Sequence, residues 1–199
     1  MFPGSEHEGT PYEPIYRLTP EQFRRMGEAG ILTPDDRVEL LEGRVVEKMT
    51  KNPPHRIATR KVRVWLETVV PLGWYVDSQE PIVTSDSEPE PDVAVIRGRS
   101  EDYADANPGC EHVGLVVEIA DVTLLRDRLL KGRLYARARI PTYWLVNLVD
   151  RQLEIFEEPA SPESGPCYLR HTVFTPDQQV GISLDGKHLG QVRVADLLP

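Results

Sequence analysis

Apolar residues recur along this chain with two different periods, and the alternation between them lays out the elements. Between residues 55 and 70 the apolar positions Ile57, Val62, Leu66 and Val69 return at helical spacing with basic side chains between them, which predicts a helix. Upstream, Thr19 offers a capping hydroxyl, Pro20 suits a first helical position and Gly30 is a stop, so a short helix is expected there. The segment VELLEGRVVEK at 38–48 places a Glu42-Gly43 turn between two β-prone runs and reads as a hairpin. Segments 73–76, 81–84, 93–96 and 115–120 are short, rich in β-branched residues and bounded by Gly, Pro and Asp, as strands are. VAVI and LVV lack polar alternation, which points to strands covered on both faces. A helix over about 124–139, broken at Pro141, leads to a strand at 143–148 and completes a strand, helix, strand unit in which Tyr143 and Trp144 read as core. Strands at 152–157 and 168–174 flank a Pro/Ser/Gly loop at 159–166, before a short C-terminal tail. The fold class is α/β (α+β): a mixed sheet flanked by helices, preceded by a helix and a hairpin.

Composition narrows the setting. A length of 199 residues suits one substantial core, expected over 17–199, while residues 1–16 mix Pro, Gly, Glu and Tyr without period and read as a flexible arm. No apolar run approaches a bilayer span and the N-terminus lacks a basic, apolar leader, so no membrane contact and a cytoplasmic location are expected. Cys110 and Cys167 lie far apart, without zinc-type or disulfide spacing. The formal charge of −9 means that any contact with a phosphate backbone must come from a local basic surface.

The chemistry centres on Glu118, a carboxylate inside the apolar run LVVEIA. Such an acid needs a cation, hydrogen bonds or a proton to be tolerated in a central strand. Asp92, at the start of VAVI, poses the same question, and a divalent cation between the two would relieve their repulsion. An all-oxygen ligand set favours Mg²⁺ or Mn²⁺ over zinc; the competing reading is two separate strand-end acids facing water. On the following helix, Asp127 and Lys131 are charges on the core-facing stripe with Leu124, Leu130, Leu134, Tyr135 and Ala138. Either they pair with each other as an anchoring i,i+4 ion pair, or Lys131 reaches Glu118 and serves as a polarising ammonium. Arg126, Arg128, Arg133, Arg137 and Arg139 fall on the flanks and back of that helix, available to phosphates. His55 suits a phosphate or water contact as well as a packing role, and Arg56, Arg60, Lys61 and Arg63 suit phosphate contact as well as an ordinary solvated face. Glu42, in the hairpin turn, is expected to be exposed.

The series ELLEG (39–43), His55 before a helix, PDVAVI (91–96), VVEIA (116–120), Asp127 and Lys131 with Tyr135, and PTYWLV (141–146) resembles the Uma family of restriction endonucleases, within the PD-(D/E)XK nuclease superfamily. The resemblance extends over roughly residues 18–198. It implies a restriction endonuclease-like core, a Mg²⁺ site from Asp92 and Glu118, and an upstream acid, Glu39, assisting there. Ala120 stands where the superfamily signature carries a lysine, so that role falls to Lys131.

Two functions compete on this basis. One is a metal-dependent phosphodiesterase, an endodeoxyribonuclease acting on DNA through Glu39, Asp92, Glu118 and Lys131. The other is a non-catalytic nucleic-acid-binding or regulatory module that keeps the fold, favoured by the acidic charge and by Ala120. A homodimer is expected, because twofold symmetry matches the antiparallel strands of duplex DNA.

Overall fold

The computed structural model describes residues 14–199; residues 1–13 of the expected arm lie outside the described residues. Helix α1 (Pro20–Glu28) starts with a reciprocal cap: the Thr19 hydroxyl accepts from the Gln22 N–H at 3.2 Å, and Gln22 Oε1 accepts from the Thr19 N–H at 2.9 Å. Strands β1 (Val38–Leu41) and β2 (Arg44–Glu47) form the expected hairpin, with Glu42 and Gly43 in the left-handed region at φ 49° and 72°. Helix α2 (Pro53–Val69) is capped by Asn52, whose side chain accepts from the His55 N–H at 3.0 Å. Its buried stripe is His55, Ala58, Thr59, Val62 and Leu66. Ile57, one of the apolar positions that predicted the helix, lies one position off that stripe and faces solvent.

Six strands, β3 (Trp74–Asp77), β4 (Val93–Arg97), β5 (Val113–Ala120), β6 (Thr142–Asn147), β7 (Gln152–Ala160) and β8 (Cys167–Phe174), form one mixed sheet in that order. Only β5 and β6 run parallel within it. They are joined by a helical crossover: α3 (Leu124–Arg126), a π-helical turn (Asp127–Lys131) and α4 (Gly132–Arg137). The uniform helix expected over 124–139 is thus widened in its middle and ends earlier, and Arg139 turns the chain at φ 61°. The π turn, a feature frequent at functional sites, contains both Asp127 and Lys131 and buries both.

Alternation along the central strands sorts side chains into two layers. Val93, Val95, Leu115, Val117 and Ile119 pack with Ala58, Val62 and Leu66 of α2, where Trp144 stacks on Trp65 at 5.9 Å. Ala94, Ile96, Val116 and Ala120 pack with Leu134, Tyr135 and Tyr143 on the other side. Glu118 shares the parity of Val116 and Ala120, so its carboxylate belongs to the layer beneath the crossover helix.

Two expectations about strands are corrected. Residues 81–84 form no strand beyond a single bridge from Val83 to Gly109, because Ile82 and Thr84 donate to the carbonyls of Pro89 and Ser87 in a fold-back. In place of a short tail, β9 (Gln179–Leu184) and β10 (Lys187–Arg193) make a second hairpin, followed by α5 (Val194–Leu197). An Asp185-Gly186 turn with both φ angles positive closes that hairpin, and Val180, Ile182, Leu184 and Val192 add to the α2 layer. The loop expected at 159–166 shortens because β7 continues to Ala160. Both cysteines are free, and no helix of the described residues is long and apolar enough to cross a membrane.

Candidate active site

Five segments converge on one recess of about 50 Å³ at the mouth of the central strands, and Glu39, His55, Asp92, Glu118, Asp127 and Lys131 all line it. Glu39 arrives on β1, held to the fold-back after β3 by the isolated antiparallel bridge of Leu40 with Glu88. His55 sits in the first turn of α2, where the Asn52 cap and Pro53-Pro54 fix the helix start. Asp92 immediately precedes β4, Glu118 lies near the end of β5, and Asp127 and Lys131 bracket the π turn.

The charges interlock. Lys131 Nζ donates to Glu118 Oε1 at 2.8 Å and lies 3.5 Å from Glu39 Oε2. The Tyr135 hydroxyl donates to the same Glu118 oxygen at 2.6 Å. Asp92 Oδ2 accepts from the Ile119 N–H at 2.9 Å and faces His55 Nε2 at 3.2 Å, while Lys51 Nζ approaches Asp92 Oδ1 at 3.1 Å. His55 Nδ1 meets the Thr59 hydroxyl at 3.3 Å, which fixes the ring. Burial pushes Glu118 up to about 8, with Asp92, Asp127 and Glu39 adding to the effect and Lys131 opposing it. Burial works against the Lys131 charge, but Glu118, Glu39 and Asp127 outweigh it and hold the ammonium above its ordinary value of 10.5. Burial also acts to raise Asp92, yet the His55 hydrogen bond, the His55 and Lys51 charges and the Ile119 N–H together bring it below the usual carboxylate range. Asp127 is raised, mainly by burial, against the pull of Lys131, the Thr123 hydroxyl and Arg126.

The recess brings together Glu39, His55, Asp92, Glu118, Asp127 and Lys131 and rearranges their partners. The Asp127–Lys131 pair does not form: Lys131 reaches inward to Glu118 and Glu39, and Asp127 takes the Thr123 hydroxyl and lies 3.6 Å from Arg126. The arginines expected to be free are largely committed. Arg128 grips Glu154 through two hydrogen bonds, Arg133 and Arg137 both hold Glu42, and Arg137 also holds Asp86. Glu42 is therefore a clasp between the hairpin and α4 and not the exposed turn residue expected. Sequence reasoning missed Lys51, Glu90 and Asp121, gave Arg126 to phosphates where it lines the recess, and placed Tyr135 on the buried stripe without giving its hydroxyl a task. The α-helical phase around Lys131 carried the Tyr135 signal; nothing local marked Lys51.

Six carboxylates line the recess (Glu39, Glu90, Asp92, Glu118, Asp121, Asp127) against four lysines and arginines (Lys48, Lys51, Arg126, Lys131), with His55 beside them. This imbalance suits a divalent cation. Among the described residues no three His, Cys, Asp or Glu side chains are grouped as a ready metal cage. Mg²⁺ binds commonly through one or two carboxylates and keeps several waters, so Asp92 and Glu118 fit it, and the oxygen donors do not suit zinc. Asp127 Oδ1 is buried and accepts no hydrogen bond, a further unsatisfied oxygen in the same lining.

Residues 20–185 match the family model Uma2, described as "Putative restriction endonuclease". Four chains of solved structures match as well. Among them, a crystal structure described as "a putative nuclease belonging to DUF820" from Anabaena variabilis superposes with a TM-score of 0.66 over 90% of this chain and 97% of that chain, at 16% identity. That likeness is one of fold. The search of curated proteins found no match.

Proposed function

The chain belongs to the Uma2 family, and from that membership we propose that it is a Mg²⁺-dependent endonuclease that hydrolyses phosphodiester bonds in DNA. The observation that carries the reading is the convergence of Asp92, Glu118 and Glu39 on one recess with Lys131 fixed at 2.8 Å from Glu118. Asp92 and Glu118 would hold the ion, which when bound supplies Lewis acidity that neutralises charge building on the phosphate. Lys131 is too strongly held in its charged form to act as a base, so its task is electrostatic: it presents a compact positive charge and N–H donors to a developing phosphate charge. Glu39, 3.5 Å from that ammonium, helps position it and itself accepts from the Glu90 N–H at 3.3 Å. The Tyr135 hydroxyl fixes Glu118, and His55 with Lys51 fixes Asp92. The protein acts in the cytoplasm as a homodimer, one active site per DNA strand.

A second reading, a non-catalytic nucleic-acid-binding or regulatory module, is favoured by one feature: both Asp92 oxygens already have partners in His55, Lys51 and the Ile119 N–H. Cleavage of plasmid and single-stranded DNA with Mg²⁺ or Mn²⁺ at low salt separates the two readings. Nuclease activity is expected, together with Mn²⁺ binding by calorimetry that Asp92→Ala and Glu118→Ala each abolish. Undiminished Mn²⁺ binding in both variants would remove the metal assignment, and duplex binding without cleavage would favour the second reading.

A further inference from the structure

A groove of about 440 Å³ runs beside the recess between α2 and the turn after β3. Arg56, Arg60 and Arg63 stand along it at i, i+4 and i+7, on one stripe of α2 that spans about 10 Å of helix axis. All three are exposed. Among the described residues neither Arg56 nor Arg60 pairs with an acid, and Arg63 shares the one lining acid, Glu67, at 2.8 Å. This contrasts with Arg128, Arg133 and Arg137, which acids have claimed. Lys61 leaves the stripe and donates to the Leu198 carbonyl.

The groove is tied to the site on both sides. Thr59, in one wall, contacts His55 Nδ1 at 3.3 Å, and His55 Nε2 contacts Asp92. Ser78, in the other wall, donates through Oγ to the Asp92 carbonyl at 2.8 Å, and the Gln79 N–H donates to the Pro91 carbonyl at 3.0 Å. Whatever lies in the groove therefore lies next to Asp92.

We infer that this groove seats the sugar-phosphate backbone of duplex DNA, with Arg56 and Arg60 as its main phosphate contacts and the Gln79 side-chain amide as a polar contact beside the site. The inference rests on the nuclease reading for the class of ligand, and on the uncommitted cations for the place. Unpaired guanidiniums in a row release counterions on meeting phosphates, whereas arginines already bound to carboxylates would first have to break those pairs.

The test is fluorescence anisotropy of a labelled duplex of about 20 base pairs in EDTA, over a range of salt, with wild type, Arg56→Gln/Arg60→Gln and a charge-matched control. The control, Arg170→Gln/Arg193→Gln, removes two exposed arginines that lie outside the groove and pair with Glu157, Glu158 and Asp196. The groove variant should bind at least about ten-fold more weakly, and its log–log salt slope should fall by about 2, near 0.9 per lost phosphate contact. The control should stay within about two-fold of wild type. Because glutamine keeps helix propensity at exposed positions, melting temperatures should agree, and a groove variant melting with wild type while losing affinity supports the inference. Equal weakening in variant and control, or wild-type affinity and slope in the groove variant, would overturn it. Arginine-dependent binding by a wild type that never cuts with Mg²⁺ would sink the nuclease reading and leave the groove standing, and a wild type that binds no duplex would sink both.

Discussion

Replacing Lys131 with methionine keeps the aliphatic stem and removes the charge that Glu118 and Glu39 share, at 2.8 and 3.5 Å. All three side chains are at least 96% buried, so water cannot take over the ammonium's part. Leaving a buried ion pair without one partner costs about 3–5 kcal/mol. In a domain of this size that lowers the melting temperature by roughly 6–20 °C. The pH dependence has a definite sign. Lys131, raised above 10.5, contributes its full pairing below that pH in the wild type. Glu118 is raised above its ordinary 4.5, so the stability tied to its protonated form is present below 4.5 and lost as pH climbs toward its folded value. Without Lys131 that value rises further, so both proteins lose stability in parallel up to about pH 8, and the gap should widen only above it, where Glu118 ionises in the folded wild type and stays protonated in the variant. Urea denaturation of the metal-free protein on both sides of that pH measures it. Adding Glu118→Gln should restore at least half of the loss while the protein stays inactive. Adding Asp127→Asn should restore little, because Thr123 and Arg126 serve Asp127. Rescue by Asp127→Asn and none by Glu118→Gln would refute the assignment of partners. Cleavage by Lys131→Met should fall by about 10²-fold or more, the scale of losing one electrostatic contact to the transition state.

Glu154, buried under Arg128, Asn147 and Gln152 and 3.2 Å from His171, is held below its ordinary 4.5, because those hydrogen bonds outweigh its burial. Its charged form therefore stabilises the fold above pH 4.5 and that contribution disappears as pH falls through the folded value. Glu154→Gln should cost about 1.5–3 kcal/mol near neutral pH, the worth of a hydrogen bond to a charged group, and the difference should vanish at low pH. A gap independent of pH in urea titrations would contradict this. Gly43→Ala should destabilise more than Gly30→Ala: both have φ near 70°, but a Cβ on Gly43 would sit 2.6 Å from Arg17 Cβ and 3.0 Å from the Leu18 carbonyl, whereas Gly30 is open. The φ penalty alone is about 1–3 kcal/mol, so equal losses at the two positions by chemical denaturation would show the contact to be unimportant.

The parts of the site that local rules control were legible. Asn52-Pro53-Pro54 marks the start of α2, Glu118 stands out because a carboxylate in VVEIA demands a partner, and Asp127 and Lys131 stand out as charges on a core-facing stripe. The partners were not legible, because they come from tertiary contacts. The Lys131 Nζ could face Asp127 one turn away or Glu118 across the layer. The π turn that sends it to Glu118 has no sequence signature. Lys51 is a loop lysine until Asn52, capping α2, also donates to Asp121 at 2.6 Å and ties its loop across the recess. The clasp of Glu42 on Arg133 and Arg137 joins residues more than 90 positions apart, beyond any periodicity. The C-terminal hairpin is a different case: QVGISL alternates and Asp185-Gly186 is strong turn chemistry, so that element was present in the sequence and passed over.

These partners also resolve the tension between a charge of −9 and a polyanionic substrate. Salt screens exposed charges beyond about 8–10 Å, so the field met by a phosphate is set by its neighbours and not by the sum over the chain. Arg128, Arg133 and Arg137 neutralise Glu154, Glu42 and Asp86, and that face offers a phosphate little net charge. Inside the recess the carboxylates outnumber the cations, which repels a bare phosphate and rewards a divalent ion. Arg56 and Arg60 are neither neutralised nor buried, and the groove they line adjoins the place where an ion would offset the acids. On the proposed reading the acidic composition divides into pairs that clasp the fold and a negative recess that a divalent ion would neutralise beside the DNA groove, so duplex affinity should rise above its metal-free value on adding a divalent cation at constant ionic strength.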